Sequence, residues 1–328
     1  MNYRILGKTG LKISEISLGT WQVGGKWGSD FNFKNAEEII HTAIDNGINF
    51  IDTADVYSEG LSEQAVGRVL KSRGENVYVA TKCGRQLQPH VNASYQVKAL
   101  RKFVENSLSN IGIEQLDLVQ LHCPPIEVYY RPEIFELFDT LTKEGKIRNY
   151  GVSVEKVEEA LKAIEYPGVS TVQIIFNMFR QRPSELFFKE AKAKDVGIIA
   201  RVPLASGLLT GKFGKSTTFS ERDHRNFNRE GAAFDKGETF SGIDYNLGLK
   251  AVEELKLVFG ENENLAHKAL QWILAFEEVS CVIPGVSNVS QLMSNLDVID
   301  SKPITKSNIK KVNDIYKKYI KNDVHQLW

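Results

Sequence analysis

Short apolar runs alternate along this chain with longer stretches whose apolar positions recur at helical spacing. The short runs, ISEISLG (13–19), INFID (48–52), VYVAT (77–81), LDLVQL (116–121), RNYGVS (148–153), TVQIIF (171–176), GIIARV (197–202) and SCVIP (280–284), predict strands. Helical patterns fill the intervals at 35–47, 61–73, 94–111, 131–145, 154–164, 183–195 and 264–277. Strand and helix in turn signal βαβ units and a parallel sheet, wound in one direction by right-handed crossovers. Eight strands so connected close most naturally as an α/β protein of the (β/α)8 TIM-barrel type. The alternative is an open doubly wound sheet, but its dinucleotide signature, GxGxxG after a strand, is absent.

Two segments fall outside this count. Residues 3–14 (YRILGKTGLKIS) predict a β-hairpin around Lys8-Thr9-Gly10, a plug for the end of the barrel away from the site. Residues 214–244 are polar and aperiodic, and loops of this length are usually functional or mobile. A basic amphipathic helix is expected over 305–322. Ser62-Glu63 reads as a helix cap followed by a first-turn acid, and Gly74 and Gly112 as helix terminators. With no composition break to mark a linker, residues 1–328 read as a single domain.

Composition narrows the function classes. The chain has 328 residues, 42% hydrophobic and 25% charged, as a soluble globular protein has. Its 41 basic and 41 acidic side chains balance, and no basic stripe points to nucleic acid. MNYRILGKTG lacks the apolar core of a signal peptide, and no apolar run approaches the ~20 residues of a membrane span. Cys83, Cys123 and Cys281 lack CxxC spacing, which suggests reduced thiols and a cytoplasmic protein. The histidines show no metal-ligand spacing, so no metal is implied.

The chemistry concentrates at strand ends. Asp52 and Tyr57 lie in FIDTADVY (50–57), Lys82 closes VYVATK (77–82), and His122 closes LDLVQLH (116–122). In a parallel barrel the carboxyl ends of the strands form one rim, where active sites are built. Taken singly, each has an ordinary explanation as a turn residue, a solvated lysine head or a satisfied histidine. Together they deliver a carboxylate, a phenol, an amine and an imidazole to one place. Lys82 would favour the Tyr57 phenolate and lower its pKa, Asp52 would keep Lys82 protonated, and His122 would orient a carbonyl oxygen. Residues 203–212 (PLASGLLTGK) and 284–295 (PGVSNVSQLMSN) follow strands seven and eight, where backbone N–H groups at helix starts bind phosphate. A P-loop fails, because the glycine spacing is one residue short and Phe213 stands where Ser or Thr is required.

These blocks, with GTW (19–21), GVS (151–153), VQ (172–173) and VIPGVSN (282–288), closely resemble the aldo-keto reductases over nearly the whole chain. The match is to the bacterial open-reductase branch that also resembles potassium-channel β-subunits. The resemblance implies NADPH bound without a Rossmann fold and hydride transfer to a small aldehyde or ketone. It assigns Tyr57 as general acid, with Asp52, Lys82 and His122 in support. Ser153 and Gln173 would hold the nicotinamide carboxamide. Leu204, Ser206, Gly207, Leu208 and Gly211 would wrap the pyrophosphate, and Ser287, Gln291 and Asn295 would line the adenosine end. Three departures stand out. Val154 replaces a carboxamide ligand. Arg201 replaces an aromatic under the nicotinamide, where its plane can stack and its charge would alter the ring's redox balance. Ser287 replaces an arginine for the 2′-phosphate, which brings NADH into play unless Arg225 or Arg229 compensates. Trp21 is the leading candidate for the substrate pocket, with Trp27, Tyr130 and Trp328 behind it. The partner is a small carbonyl compound, and the assembly is a monomer or homo-oligomer. The alternatives are an NADP-binding sensor or regulatory subunit with incidental turnover, and a lyase that uses Lys82 as a Schiff-base nucleophile.

Overall fold

Eight parallel strands wound in chain order form the sheet. The computed structural model describes residues 1–25 and 29–328, so Trp27 lies outside the described residues. A two-stranded antiparallel hairpin comes first, β1 (Tyr3–Ile5) and β2 (Lys12–Ser14). The parallel strands are β3 (Leu18–Gly19), β4 (Phe50–Asp52), β5 (Tyr78–Cys83), β6 (Leu116–His122), β7 (Ile147–Ser153), β8 (Val169–Ile175), β9 (Gly197–Arg201) and β10 (Val279–Val282), each paired with the next. Parallel bridges Ile16–Val282 and Gly19–Gly285 join the two ends of the sheet. The Ser17 N–H donates to Val282 O and the Val282 N–H to Glu15 O, both at 2.9 Å, and the barrel is closed.

The helices are α1 (Phe33–Asp45), α2 (Leu61–Lys71), α3 (Val97–Ile111), α4 (Pro132–Lys143), α5 (Val157–Ala163) and α6 (Phe187–Ala193), one after each of β3 to β8. The connection from β9 to β10 carries α7 (His224–Phe227), α8 (Tyr245–Phe259) and α9 (Leu265–Leu274). The chain then continues through α10 (Val289–Leu296), α11 (Lys306–Tyr319) and α12 (Lys321–Val324). Of these, α8 has no counterpart among the helices read from the sequence. Gly248 interrupts its pattern, yet the glycine is required, since a Cβ there would lie 2.5 Å from Leu208.

Side chains alternate faces along a strand, and this places the site. Phe50, Ala80, Leu118, Ile199 and Cys281 form an inward apolar layer sealed from below by Leu6, Leu11 and Ile13 of the hairpin, which is the expected plug. Two residues further along the same strands, the inward layer is Asp52, Lys82, Gln120 and Arg201. The outward faces of the strands pack against the helices in one large cluster.

Some local expectations change. Ser62 is not a cap: its hydroxyl donates to Thr20 Oγ1 (2.8 Å) and pairs with Thr53 Oγ1 (3.0 Å), and left-handed Gly60 precedes α2 instead. Gly112 does end α3 with φ 75°, but α2 ends at Lys71 with Ser72 as its cap, before Gly74. Glycine 67 lies where α2 meets α3, and a Cβ there would sit 2.1 Å from Ile111 O. Gly67→Ala is therefore expected to destabilise the fold by about 1–3 kcal/mol through overpacking. A thermal midpoint equal to or above wild type would contradict this.

Candidate active site

The four rim residues meet. The Lys82 ammonium, buried, donates to Asp52 Oδ1 at 2.5 Å, to Thr53 O at 2.8 Å and to the Tyr57 hydroxyl at 3.3 Å. The second Asp52 oxygen accepts from Gln173 Nε2 (2.8 Å) and Gln120 Nε2 (3.2 Å). One carboxylate thus anchors three strands besides its own. Across the mouth the His122 ring stands edge-on to Tyr57, centroids 6.0 Å apart. Trp21 stacks on Tyr57 from the other side at 6.1 Å.

The electrostatics of this layer are set by burial. It alone would depress the Lys82 ammonium, but Asp52 and Tyr57 outweigh it and hold the pKa above the usual lysine value. Tyr57 reverses the expectation from sequence: burial raises its phenol, and Lys82 offsets this only in part. The proton stays on Tyr57 at neutral pH. Burial, then Arg85, Lys82 and Arg201, push His122 well below its ordinary value, so the imidazole is neutral. Its buried Nδ1 has no hydrogen-bond partner. Asp55, behind this wall, is also buried with both carboxyl oxygens unpartnered; burial and then Glu63 push its pKa up to about 8.

Left-handed backbone clusters at the rim. Ser58 and Glu59 follow Tyr57, Cys123 (φ 46°) follows His122, and Val202 (φ 51°) follows Arg201. For a β-branched residue such as Val202 this conformation is strained, and strain of this kind gathers at functional sites.

The remaining site residues fall around this centre. Ser153 and Gln173 are register partners on β7 and β8. The Val154 carbonyl accepts from Arg201 Nη2 (3.0 Å), so its contribution is backbone alone. Leu204, Ser206, Gly207, Leu208 and Gly211 form a kinked 3-10 turn with Ser206, Gly207 and Gly211 left-handed. The Ser206 hydroxyl is tied to the long loop, donating to Glu238 O (3.0 Å) and accepting from the Phe240 N–H (3.1 Å). Ser287 donates from N–H (2.8 Å) and hydroxyl (3.1 Å) to Gln291 Oε1. Asn295 is buried one turn further along α10. Arg225 is held by Asp223, and its Nη1 lies 3.8 Å from a Cβ built on Gly207, over the glycine turn. Arg229 instead lies against Phe219, Phe240 and Tyr245.

Residues 214–244 form a strap over the mouth. His224 and Phe234 reach Trp21 at 5.5 and 6.1 Å, and burial brings His224 down to about 4, a neutral ring at physiological pH. Glu238 receives Arg85 Nη1 at 2.9 Å. Trp328 is buried against Arg180 (4.0 Å) and donates to Asp235 Oδ1 (2.8 Å), so it braces the strap without touching Tyr57. Tyr130 is exposed against Lys162, outside the pocket. Among the described residues, one group has metal-ligand spacing, Cys123, Glu155 and Glu238. Arg85 and Arg201 already pair with its two carboxyls, so a cation there would have to displace guanidinium groups. All three cysteines are buried, and burial raises the thiols of Cys83, Cys123 and Cys281.

The sequence model of the Aldo/keto reductase family matches residues 15–317. The chain belongs to the aldo/keto reductase family. It is 31% identical to "Aldo-keto reductase YhdN" of Bacillus subtilis (strain 168), over 99% of this chain and 96% of that protein. It is 30% identical to "Uncharacterized oxidoreductase YqkF" of the same organism, over 97% and 99%. A "Probable voltage-gated potassium channel subunit beta" of Arabidopsis thaliana is 26% identical over 93% of each chain. Among solved structures, the glycerol dehydrogenase AKR11B4 from Gluconobacter oxydans superposes with a TM-score of 0.81 at 28% identity, covering all of this chain and 98% of the other. As an aldo/keto reductase the chain is an oxidoreductase of carbonyl chemistry that uses a nicotinamide cofactor. No helix among the described residues is long and apolar enough to cross a membrane.

Several residues lining the candidate site of this aldo/keto reductase escaped the sequence reading. Gln120 had a visible signal, a polar residue on the inward face of an apolar strand. Arg85, Glu155, Glu238, His224 and Phe234 had none, because they lie in rim loops and in the aperiodic strap, and only the tertiary fold brings them together.

Proposed function

We propose that this chain reduces small aldehydes or ketones to alcohols with NADPH ahead of NADH, with Tyr57 as the general acid. The observation that carries the reading is the Lys82 ammonium, held at once by Asp52 and the Tyr57 hydroxyl. The inward face beside it suits a planar carboxamide ring: Ser153 and Gln173 stand in register, and buried Arg201 Nε lacks a hydrogen-bond partner. Ser153 and Gln173 would hold the carboxamide, and Arg201 the ring face. The turn from Leu204 to Gly211 would hold the pyrophosphate, and Ser287, Gln291 and Asn295 the adenosine end. When bound, the reduced nicotinamide supplies a hydride to the carbonyl carbon.

The chain's own groups do the rest. Neutral His122 donates a hydrogen bond to the carbonyl oxygen and fixes its position. Tyr57 gives that oxygen its proton as negative charge develops there, and the Lys82 ammonium stabilises the phenolate left behind. Asp52 keeps Lys82 charged, while Gln173 and Gln120 hold Asp52 in place. Trp21, His224 and Phe234 shape the space above Tyr57. A lysine so tightly paired is a poor Schiff-base nucleophile, which argues against the lyase reading.

Cofactor oxidation followed by absorbance over a panel of carbonyl compounds, with NADPH and with NADH, tests the proposal. Turnover supports it. Tight cofactor binding without turnover across the panel would move the chain to the alternative reading, an NADP-binding sensor or regulatory subunit. Arg225, over the glycine turn, is the cation we propose in the role of the arginine that Ser287 replaces. Arg225→Ala is expected to raise KM for NADPH about tenfold, as loss of an Arg–phosphate pair does, and to leave KM for NADH within about twofold. Equal changes for both cofactors would remove Arg225 from 2′-phosphate recognition.

A further inference from the structure

Arg201 is the one guanidinium in the inward layer that holds Asp52 and Lys82, and it does not stand alone. Its Nη2 donates to Glu155 Oε2 (2.9 Å) and to Val154 O (3.0 Å), and its Nη1 lies 3.8 Å from Glu238 Oε1. Glu238 also receives Arg85 at 2.9 Å, and Arg85 approaches the other Glu155 oxygen at 4.0 Å. The four side chains make a closed ring beside Cys123. Three members come from the barrel rim, and the fourth, Glu238, is carried in by the strap.

We propose that strap-borne Glu238, with Glu155, sets how much of the Arg201 charge reaches the bound nicotinamide, and so controls the relative affinity for its oxidised and reduced forms. The inference rests on the nicotinamide reading above and adds a role for the ring of charges. The oxidised ring carries a positive charge that the reduced ring lacks. A bare guanidinium beside it therefore disfavours the oxidised form, and a guanidinium compensated by carboxylates does not. Ser153, Gln173 and Arg201 lie on three consecutive strands, so a ring whose carboxamide is held by the first two has Arg201 as its neighbour. Burial pushes the Glu155 carboxyl up to about 8, whereas Arg85 and Arg201 overcome burial to hold Glu238 down to about 2. At neutral pH Glu238 is thus the ionised partner, and the compensating charge belongs to a loop rather than to the barrel.

The test is equilibrium binding of NADP+ and of NADPH to the full chain, by calorimetry or protein fluorescence, without substrate. Glu238→Gln is expected to raise the ratio of the oxidised to the reduced Kd about tenfold, the scale of one partly screened charge a few Å away. Arg201→Met should move the ratio about tenfold the other way, and Arg201→Lys, which keeps the charge, should leave it within about twofold of wild type. Thermal melts establish that each variant is folded, and any one folded charge variant with its ratio suffices. If both Kd values shift together in Glu238→Gln and Arg201→Met, the ring is packing only and the proposal fails. If Arg201→Lys behaves as Arg201→Met, charge is not the cause and it fails equally. Wild-type chain that binds neither form would instead overturn the cofactor reading itself.

Discussion

Tyr57→Phe is expected to lower kcat by about 10²–10⁴-fold, the usual contribution of a positioned general acid, while cofactor affinity stays within about twofold. The phenyl ring keeps the stacking on Trp21 and the edge contact with His122, so the pocket retains its shape. Only the hydroxyl at 3.3 Å from Lys82 is lost, and with it the proton delivered to the carbonyl oxygen. Lys82 keeps Asp52 and Thr53 O as partners, so no buried charge is stranded. Stopped-flow binding and steady-state rates on the same preparation separate the two quantities. A variant that retains more than about a tenth of wild-type kcat would move the proton to another donor, with His122 first in line.

Asp55→Asn is expected to flatten the dependence of stability on pH. In the folded chain burial and Glu63 raise the Asp55 carboxyl to about 8, against an ordinary value of 3.8. Below pH about 4 both the folded and the unfolded chain carry the proton, and the contribution of Asp55 to stability is fully present. Between there and pH about 8 only the folded chain keeps it, so stability falls as pH rises, by at most about 1.4 kcal/mol per unit. Asparagine has no proton to lose. Urea midpoints at pH about 5 and about 8 should therefore diverge for wild type and stay closer together for the variant. Equal slopes would mean that Asp55 has a partner in solution that relieves its burial.

The fold could be read because its signal is local. Each strand is a short apolar run, and the period-2 register that lines Phe50 and Asp52 along one face is written in the same few residues. Asp52 and Lys82 were legible for a related reason: a polar residue two places beyond an apolar inward one must point into the rim. Gln120 obeys the same rule and could have been found by it. The charged ring could not. Glu155 and Arg85 are polar residues in loops, where polar residues are unremarkable, and Glu238 lies in a segment without periodicity. Their meaning comes only from the strap's path across the mouth. Tyr57 shows a further limit, since its partner was legible but the depth of its surroundings was not, and depth decided the sign of its pKa shift. The helix α8 was hidden by Gly248, a residue that weakens the local signal because tertiary packing leaves no room for a side chain.

The closure of the barrel has a temporal side. The seam joins residues 15–19 to residues 282–285, and Arg4 adds bonds to the carbonyls of Leu274, Phe276 and Val279. On the ribosome, the edge of β3 therefore stays open until nearly the whole chain has emerged, and the hairpin waits beside it for the strand it must meet. An unpaired edge of this kind is a template for association with other chains. The exposure lasts as long as translation of the intervening segments, which makes the interval before closure the one in which the growing chain is most open to association.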